Sequence, residues 1–199
     1  MDRLLVGVSG SVAVLNLPAY LATLRAELAS QVRVIMTRQA ARMLPPFTVA
    51  LICDEVFLDQ EPTTAKKPGH IELARWAEMF VILPATANVI GQAANGLGSN
   101  LLTTTILAAT RPVVFCPNVH PDMWNKPVVR RNVETLRRDG HAVIEPIVAA
   151  AYEVDSGEMR ESLVLPEPSL LARQLGEIHQ DHGPDTTPRS DPLSRPTGR

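Results

Sequence analysis

The sequence predicts an α/β protein with a Rossmann-like (flavodoxin-like), three-layer, doubly wound parallel sheet. Short apolar runs of strand length alternate with longer segments that carry apolar residues at helical spacing. Strands and helices that alternate in this way usually form a parallel sheet with helices on both faces. A chain of 199 residues, of which 45% are hydrophobic, is long enough for one domain of this kind.

Five strands and five helices are predicted along the chain. The strands cover residues 3–8, 31–36, 79–83, 111–116 and 141–146. The helices cover residues 13–28, 37–44, 71–77, 100–109 and 126–140. Two adjacent prolines at 45 and 46 end the second helix, and Gly140 ends the last one. Residues 59–69 show no periodicity and are predicted to form a loop.

The folded domain is predicted to cover residues 1–180. The remaining residues, 181–199, are predicted to form a disordered, proline-rich tail. From residue 182 onward the sequence has no apolar pattern, and prolines recur at every fourth position from 184 to 196. Such a composition cannot bury enough apolar surface to offset the loss of conformational entropy on folding.

Charge and composition narrow the function classes. The net charge of -2 gives no reason to expect binding to nucleic acid or to anionic membranes. No apolar run reaches the roughly 18 residues that a membrane span needs, and the charged start runs directly into a strand. We therefore expect a cytoplasmic protein. Cys53 and Cys116 match no metal spacing, so buried free thiols and no metal site are predicted.

The stretch at residues 84–104 carries the strongest functional signal. Small and polar residues, Thr86, Ala87 and Asn88, directly follow the buried run at 79–83. In doubly wound sheets, ligands bind at the carboxyl ends of the strands, where small side chains let backbone N–H groups approach an anion or a flat ring. Right-handed crossovers should bring residues 9–12, 37–39 and 84–89 to that same edge. The sequence therefore predicts a cofactor site there.

Local spacing leaves the roles of three further candidates open. Residues 7–11 lack a GxGxxG or Walker pattern, so they could hold a single phosphate through Ser11 or form an ordinary tight turn. His70 lies at a helix start, where it could be catalytic, capping or simply solvated. His120 lies between two prolines, in a loop that could contact a substrate carboxylate or only connect two elements.

Four motifs together resemble the homo-oligomeric flavin-containing cysteine decarboxylases. Residues 84–89 (PATANV) resemble the family's PASANT motif, and residues 69–77 (GHIELARWA) resemble the segment of its active-site histidine. Residues 117–124 (PNVHPDMW) are similar to its PxMNxxMW substrate motif. Residues 95–96 and 99–104 match the family's stretch between the histidine segment and the substrate motif. Because order and spacing agree over residues 3–165, the chain is identified as a member of this family.

The resemblance implies a bound flavin, FMN or, as in some peptide-modifying members, FAD. It also implies a homotrimer, often assembled into a dodecamer, with the flavin between subunits. His70 would be the catalytic residue. The implied cofactor contacts are Gly10, Ser11, Val12 and Thr37 around the phosphate, with Thr86, Ala87, Asn88 and Val89 against the flavin. The implied substrate contacts are Asn88, Asn118, His120 and Met123.

Two departures from the family pattern separate its activities. One branch, which decarboxylates 4′-phosphopantothenoylcysteine for coenzyme A biosynthesis, uses a cysteine that would fall near Ala151, and this chain has no cysteine from residue 150 to residue 199. The branch that acts on ribosomal precursor peptides, in lantibiotic, linaridin and thioamitide biosynthesis, needs no such thiol and fits better. The second departure is His120, which replaces the asparagine that contacts the substrate carboxylate in the family.

The expected function is therefore flavin-dependent oxidative decarboxylation of a precursor peptide's C-terminal cysteine to an aminoenethiol. Oxidation at the cysteine Cβ to a thioaldehyde supplies the electron sink that a simple cysteine carboxylate lacks, and carbon dioxide then leaves. His70 would act as base or thiolate stabiliser, and residues 150–165 would cover the peptide as a mobile clamp. Cyclase and dehydratase enzymes are the implied partners.

Three alternatives remain open at this point. They are the phosphopantothenoylcysteine decarboxylase of coenzyme A biosynthesis, a flavin prenyltransferase, and a non-catalytic relative that binds phosphatases. The glycine-serine start and arginine-rich C-terminal region of the prenyltransferase are not evident. The long acidic extensions of the regulatory relatives are absent, and His70 is retained.

Overall fold

A six-stranded parallel sheet forms the centre of the computed structural model, which describes residues 1–59, 69–153 and 156–181. The strands follow the spatial order β3-β2-β1-β4-β5-β6, and every neighbouring pair is parallel. This is the strand order of a Rossmann sheet, with the switch point between β1 and β4. The strands are β1 Arg3–Val8, β2 Gln31–Met36, β3 Glu55–Leu58, β4 Met79–Ala85, β5 Val113–Pro117 and β6 Ala142–Val143.

Helices cover both faces of the sheet, which confirms the predicted three-layer fold. Alternate strand residues pack against α1 and α9 on one face and against α4, α5, α6 and α8 on the other. In β1, for example, Leu4 and Val6 belong to the first core and Leu5 to the second. The helices are α1 Leu17–Glu27, α2 Arg38–Met43, α3 Pro46–Ala50, α4 His70–Trp76, α5 Ala87–Ala94, α6 Leu101–Ala108, α7 Pro121–Trp124, α8 Pro127–Arg138 and α9 Pro168–Asp181.

Several boundaries differ from the sequence prediction. The first helix is divided: a 3-10 helix covers Val12–Asn16, and α1 begins at Leu17 with Pro18 in its first turn, where proline costs no hydrogen bond. The last predicted strand, 141–146, is reduced to the two residues of β6. The predicted loop at 59–69 lies outside the described residues except for its two ends.

Seven elements were missed by the sequence prediction. The short β3 and α3, the single turn α7, and α5 directly after the small residues at 84–86 were not predicted. Two further strands, β7 Ile147–Glu153 and β8 Glu158–Val164, form an antiparallel hairpin beside the main sheet, and α9 follows it. The hairpin occupies most of the segment predicted to be a mobile clamp. Asp181 still belongs to α9, one residue beyond the predicted domain boundary, and the predicted tail from 182 lies outside the described residues.

Candidate functional site

The carboxyl ends of β1 and β4 are joined by one buried hydroxyl. Ser9, which is 2% exposed, donates from Oγ to the Pro84 carbonyl oxygen at 2.8 Å and accepts from the Thr86 N–H at 3.0 Å. The Ser9 N–H also donates to the Pro84 oxygen at 3.3 Å. These bonds hold the loop after β1 against the start of α5, at the switch point of the sheet where a ligand crevice is expected.

Three helical segments begin around this point, and each begins with a hydroxyl residue. The N-caps are Ser11 before the 3-10 helix, Thr37 before α2 and Thr86 before α5, and their hydroxyl oxygens accept from Ala13 N, Ala40 N and Val89 N at 3.3–3.4 Å. The other N–H groups of a first helical turn have no partner within the helix, so they are available to anions. The edge predicted from sequence is therefore assembled, with Val12, Ala87, Asn88 and Val89 in these first turns.

Gly10 lies at the closest approach between two of these segments. A Cβ atom at this position would lie 2.3 Å from Gln39 Cγ and 2.7 Å from Gln39 Cβ, in the first turn of α2. Any side chain would therefore displace the start of α2 or the loop after β1. Glycine therefore permits the close approach of these two segments, here called the cradle, and the unpaired backbone N–H groups of their first turns are donors of the kind that a phosphate needs.

Asn118 lies next to this cradle, at the end of β5 and on the opposite side of β4 from Ser11. Ser11 Oγ donates a hydrogen bond to Asn118 Oδ1, and the Asn118 N–H donates to the Ala85 carbonyl oxygen at 3.0 Å. Asn118 directly follows β5, whereas Ser11 follows β1, so this contact bridges the end of β4. It places one predicted substrate contact beside one predicted phosphate contact.

A cavity of about 260 Å³ opens next to the contact between Ser11 and Asn118. Its walls come from the loop after β1, the segment after β5, and the β7–β8 hairpin. The hairpin contributes Ala151, Arg160, Ser162 and Leu163, among others. Ala151, the position where a cysteine was expected in the coenzyme A branch, therefore lines this cavity.

His120 is the N-cap of α7 and lines the same cavity. Its Nδ1 accepts from the Asp122 N–H at 3.2 Å and lies 3.8 Å from the Asp122 carboxylate. Because Nδ1 accepts, the proton of the neutral ring is on Nε2, which makes His120 a donor on its other side. Met123 follows and is 51% exposed, whereas Trp124 is buried beneath the Arg130 guanidinium.

His70 is the first residue of α4 and is exposed. The Glu72 carboxylate accepts from the Gly69 N–H at 3.1 Å and stabilises this helix start. Because α4 leads into β4, its first turn lies toward the carboxyl edge of the sheet. Close to that edge, Asp59 Oδ1 accepts from the Leu101 N–H at 2.5 Å and anchors the start of α6. The catalytic role of His70 stays a prediction.

Neither thiol of the chain lines the cavity. Cys53 and Cys116 are free and buried, as predicted. Burial raises the pKa of Cys53 to about 11, and full burial raises the pKa of Cys116 as well. A thiol must ionise to act as a nucleophile or reductant, so both cysteines are structural.

Sequence reasoning missed several residues that shape this edge. Ser9 was predicted to lie at this edge, but its hydrogen bonds to Pro84 and Thr86 were not, because these partners are more than seventy positions away in sequence. Asp59, Gln92 and Arg160 were also missed, because their partners are distant in sequence or lie in elements that were not predicted. Among the described residues, no group of three or more His, Cys, Asp or Glu side chains is placed to hold a metal. No helix in the described part of the chain is long and apolar enough to cross a bilayer.

Two curated relatives cover most of the chain. The chain is 39% identical over 187 residues to the mersacidin decarboxylase of Bacillus sp. (strain HIL-Y85/54728), which covers 93% of this chain and 95% of that protein. It is 40% identical over 167 residues to the coenzyme A biosynthesis bifunctional protein CoaBC of Bacillus subtilis (strain 168). That match covers 80% of this chain but only 40% of CoaBC.

Solved structures agree with these matches. The fold is similar to that of the peptidyl-cysteine decarboxylase EpiD, with a TM-score of 0.76, 25% identity, and coverage of 87% of this chain and 98% of that one. It is also similar to the FMN-dependent cysteine decarboxylase SpaF, with a TM-score of 0.72, 34% identity, and coverage of 89% and 97%.

The family model described as "Flavoprotein" matches residues 1–165, which include the whole sheet, every N-cap around the crevice and the hairpin. The family expected from the four sequence motifs is thus confirmed by the whole-chain matches, and the chain belongs to the Flavoprotein family.

Proposed function

We propose that this protein is a flavin-dependent decarboxylase that oxidises and decarboxylates the C-terminal cysteine of a ribosomal precursor peptide. The observation that carries the proposal is the cavity beside Ser11 and Asn118, which has the hairpin as one wall and is lined by no thiol. The relatives named for mersacidin and for peptidyl-cysteine support a peptide substrate. SpaF, named as FMN-dependent, supports FMN as the cofactor.

The residues at the switch point fit the phosphate and ring of FMN. Gly10, Ser11, Val12 and Thr37 would hold the phosphate through backbone N–H groups and hydroxyls. The segment from Thr86 to Val89 would lie against the ring, because α5 begins there directly beside the bridging hydroxyl of Ser9. When bound, the flavin supplies a two-electron acceptor.

The protein's own residues have three tasks in this reaction. His70 would hold or remove the proton of the substrate thiol, which makes the sulfur electron-rich while the Cβ is oxidised. His120, a donor through Nε2, and Asn118 would orient the substrate carboxylate within the cavity. The hairpin would keep water out and position the residues that precede the C-terminal cysteine, since Leu163 and Val164 line the cavity wall.

A homotrimer is the proposed assembly. Val12 and Leu15 in the 3-10 helix after β1, and Met123 in α7 after β5, are 46%, 58% and 51% exposed, although each is a large apolar side chain. Exposed apolar residues grouped at a site often mark a protein interface. Sedimentation of the flavin-loaded protein at several concentrations tests the proposal: a single monomeric species throughout would contradict it.

The second candidate function is decarboxylation of 4′-phosphopantothenoylcysteine, which the similarity to CoaBC favours. Ala151 disfavours it, because this position lines the cavity and offers no thiol to return electrons to the product. Under this alternative the product would be the reduced thiol, whereas the proposed reaction leaves the two electrons with the cofactor.

The decisive experiment incubates the flavin-loaded protein with a synthetic peptide that ends in cysteine and follows the peptide by mass spectrometry. The expected product has lost one carbon dioxide molecule and two hydrogen atoms. Peptides ending in serine, or in cysteine amide, are matched controls that should not react, because they lack the thiol or the free carboxylate. Loss of carbon dioxide alone from 4′-phosphopantothenoylcysteine, with no reaction of the peptide, would instead establish the coenzyme A reaction.

A further inference from the structure

Polar side chains on one side of α5 form a hydrogen-bonded row that leads away from the crevice. Gln92 Nε2 donates to Asn88 Oδ1 at 3.1 Å, and Ser99 Oγ donates to Gln92 Oε1 at 2.5 Å. Asn88 and Gln92 lie four residues apart on the helix and therefore share a face. The row connects the first turn of α5, at the crevice, to the loop that precedes α6.

The turn after α5 explains how Ser99 reaches Gln92. The Leu97 N–H donates to the Gln92 carbonyl oxygen at 2.9 Å, and the Gly96 N–H donates to the Ala93 carbonyl oxygen at 3.1 Å. These are the two bonds of a Schellman motif, and Gly96 has the left-handed φ of +64° that the motif requires. The chain therefore reverses, and the Ser99 N–H is then fixed by Thr103 Oγ1 at 3.0 Å.

The direction of these bonds decides what Asn88 offers to a ligand. A carboxamide has an accepting oxygen and a donating NH₂ group, and a partner at one end leaves the other end for a second contact. Because Gln92 Nε2 is bound to Asn88 Oδ1, the NH₂ group of Asn88 is the end left for that contact. Asn88 itself is exposed at the second position of α5, two residues after the Thr86 N–H that Ser9 holds.

We propose that Gln92, held by Ser99, is a positioning residue that makes Asn88 a hydrogen-bond donor to an oxygen atom of the bound flavin or of the substrate. This inference rests on the proposed flavin-dependent function. It adds to that function a positioning role for Gln92 and Ser99, which lie in the stretch that follows the PATANV motif. The ligand atom that Asn88 would contact is an oxygen that accepts a hydrogen bond, and this oxygen belongs either to the flavin or to the substrate.

Two substitutions of Gln92 should impose opposite hydrogen-bond directions between residue 92 and Asn88. In Gln92→Glu the new carboxylate only accepts, so Asn88 must donate to it and turn its carbonyl oxygen to the ligand. In Gln92→Lys the new ammonium only donates, so Asn88 keeps its NH₂ group for the ligand, and Ser99 accepts. We expect Gln92→Glu to raise either the flavin Kd or the peptide KM about tenfold, a factor that corresponds to about 1.4 kcal/mol. Gln92→Lys should stay within about threefold.

The two constants identify which molecule supplies the oxygen. A change in the Kd of FMN, measured by quenching of its fluorescence, assigns the oxygen to the flavin. A change in peptide KM at saturating FMN, with the Kd unchanged, assigns it to the substrate. Asn88→Asp removes the NH₂ group and should reproduce the effect of Gln92→Glu.

The effect of the charge introduced at residue 92 must be separated from the effect of hydrogen-bond direction. At about 1 M salt the Debye length falls to about 3 Å, so a through-space effect of the Glu or Lys charge is largely screened. The difference between the two variants should persist there. Equal changes in Gln92→Glu and Gln92→Lys, or a difference that disappears at high salt, would overturn the proposal. If the wild-type holoprotein fails to decarboxylate any peptide, the peptide Kd for the FMN-loaded protein replaces KM, so both arms are measured without turnover and unchanged values of both constants in Gln92→Glu would overturn the proposal.

Discussion

Replacing Ser9 by alanine tests whether one hydroxyl holds the two central strand ends together. The substitution removes the bond to the Pro84 oxygen and the bond from the Thr86 N–H, at 2.8 and 3.0 Å. The bond from the Ser9 N–H to the Pro84 oxygen remains. The change is small in volume, so its effect should come from hydrogen bonding and not from a cavity.

The magnitude follows from the burial of these groups. Ser9 is 2% exposed, and alanine leaves the Thr86 N–H without its partner in a region that is partly closed to water. Leaving a buried donor unsatisfied costs about 1–3 kcal/mol. For a chain of this size, about 2 kcal/mol lowers the Tm by roughly 4–8 °C. Because the freed group begins α5, the Kd of FMN should also rise, by about tenfold.

Urea unfolding of the flavin-free protein measures the first effect, and FMN titration followed by fluorescence measures the second. Thr105→Ala is a matched control, since Thr105 is also fully buried and donates from Oγ1 to the Leu101 carbonyl oxygen at 2.7 Å, within α6. The free energy of unfolding of Thr105→Ala should fall by about 1 kcal/mol, and its Kd for FMN should not change. An unchanged Kd of FMN in Ser9→Ala, or a free energy of unfolding within about 0.5 kcal/mol of wild type, would refute the reasoning.

Three other substitutions test separate parts of the structure. Gly10→Ala should weaken FMN binding by at least about tenfold, because its Cβ would lie 2.3 Å from Gln39 Cγ; a titration that matches wild type would show that the cradle is not used. His70→Asn should leave a yellow, assembled protein that releases no carbon dioxide from a Cys-terminated peptide, and undiminished release would remove His70 from the reaction. His141 accepts from the Val113 N–H at 3.1 Å, and burial lowers its pKa in the folded state. The unfolded chain therefore binds a proton more readily, and the folded state loses stability as the pH falls below about 6.5. His141→Asn keeps an acceptor but does not titrate, so the wild type should lose stability relative to it between about pH 7.5 and 5.5 in urea unfolding; a constant difference would contradict the assignment.

The central sheet was predictable because its signals are local. Buried strands such as β1 and β4 are continuous apolar runs, and alternation with helices leaves few possible arrangements. The same holds for the crevice: Thr37 and Thr86 each follow such a run and were expected at one edge. The prediction of β3 failed because a strand of four residues, Glu55–Leu58, has too little periodicity to recognise.

The hairpin that forms one wall of the cavity could not be predicted from local sequence signals. The β7–β8 hairpin has a large share of exposed and charged residues, and it lines the cavity together with the segment after β5. His120 and Arg160 line one cavity although they lie forty positions apart in sequence. Contacts of this kind depend on tertiary packing, which single-sequence patterns do not encode.

Sequence alone was sufficient for the class of sheet, the edge at which the candidate site lies and the family, because strand runs, small residues and motif spacing are properties of neighbouring positions. Tertiary structure alone decided how those residues are held. It showed that Ser9 joins β1 to β4, that Ser11 meets Asn118 across the end of β4, and that Asn88, Gln92 and Ser99 form one hydrogen-bonded row. The physical reason is that hydrogen bonds and excluded volume depend on distances in space, and folding sets those distances between residues far apart in the chain.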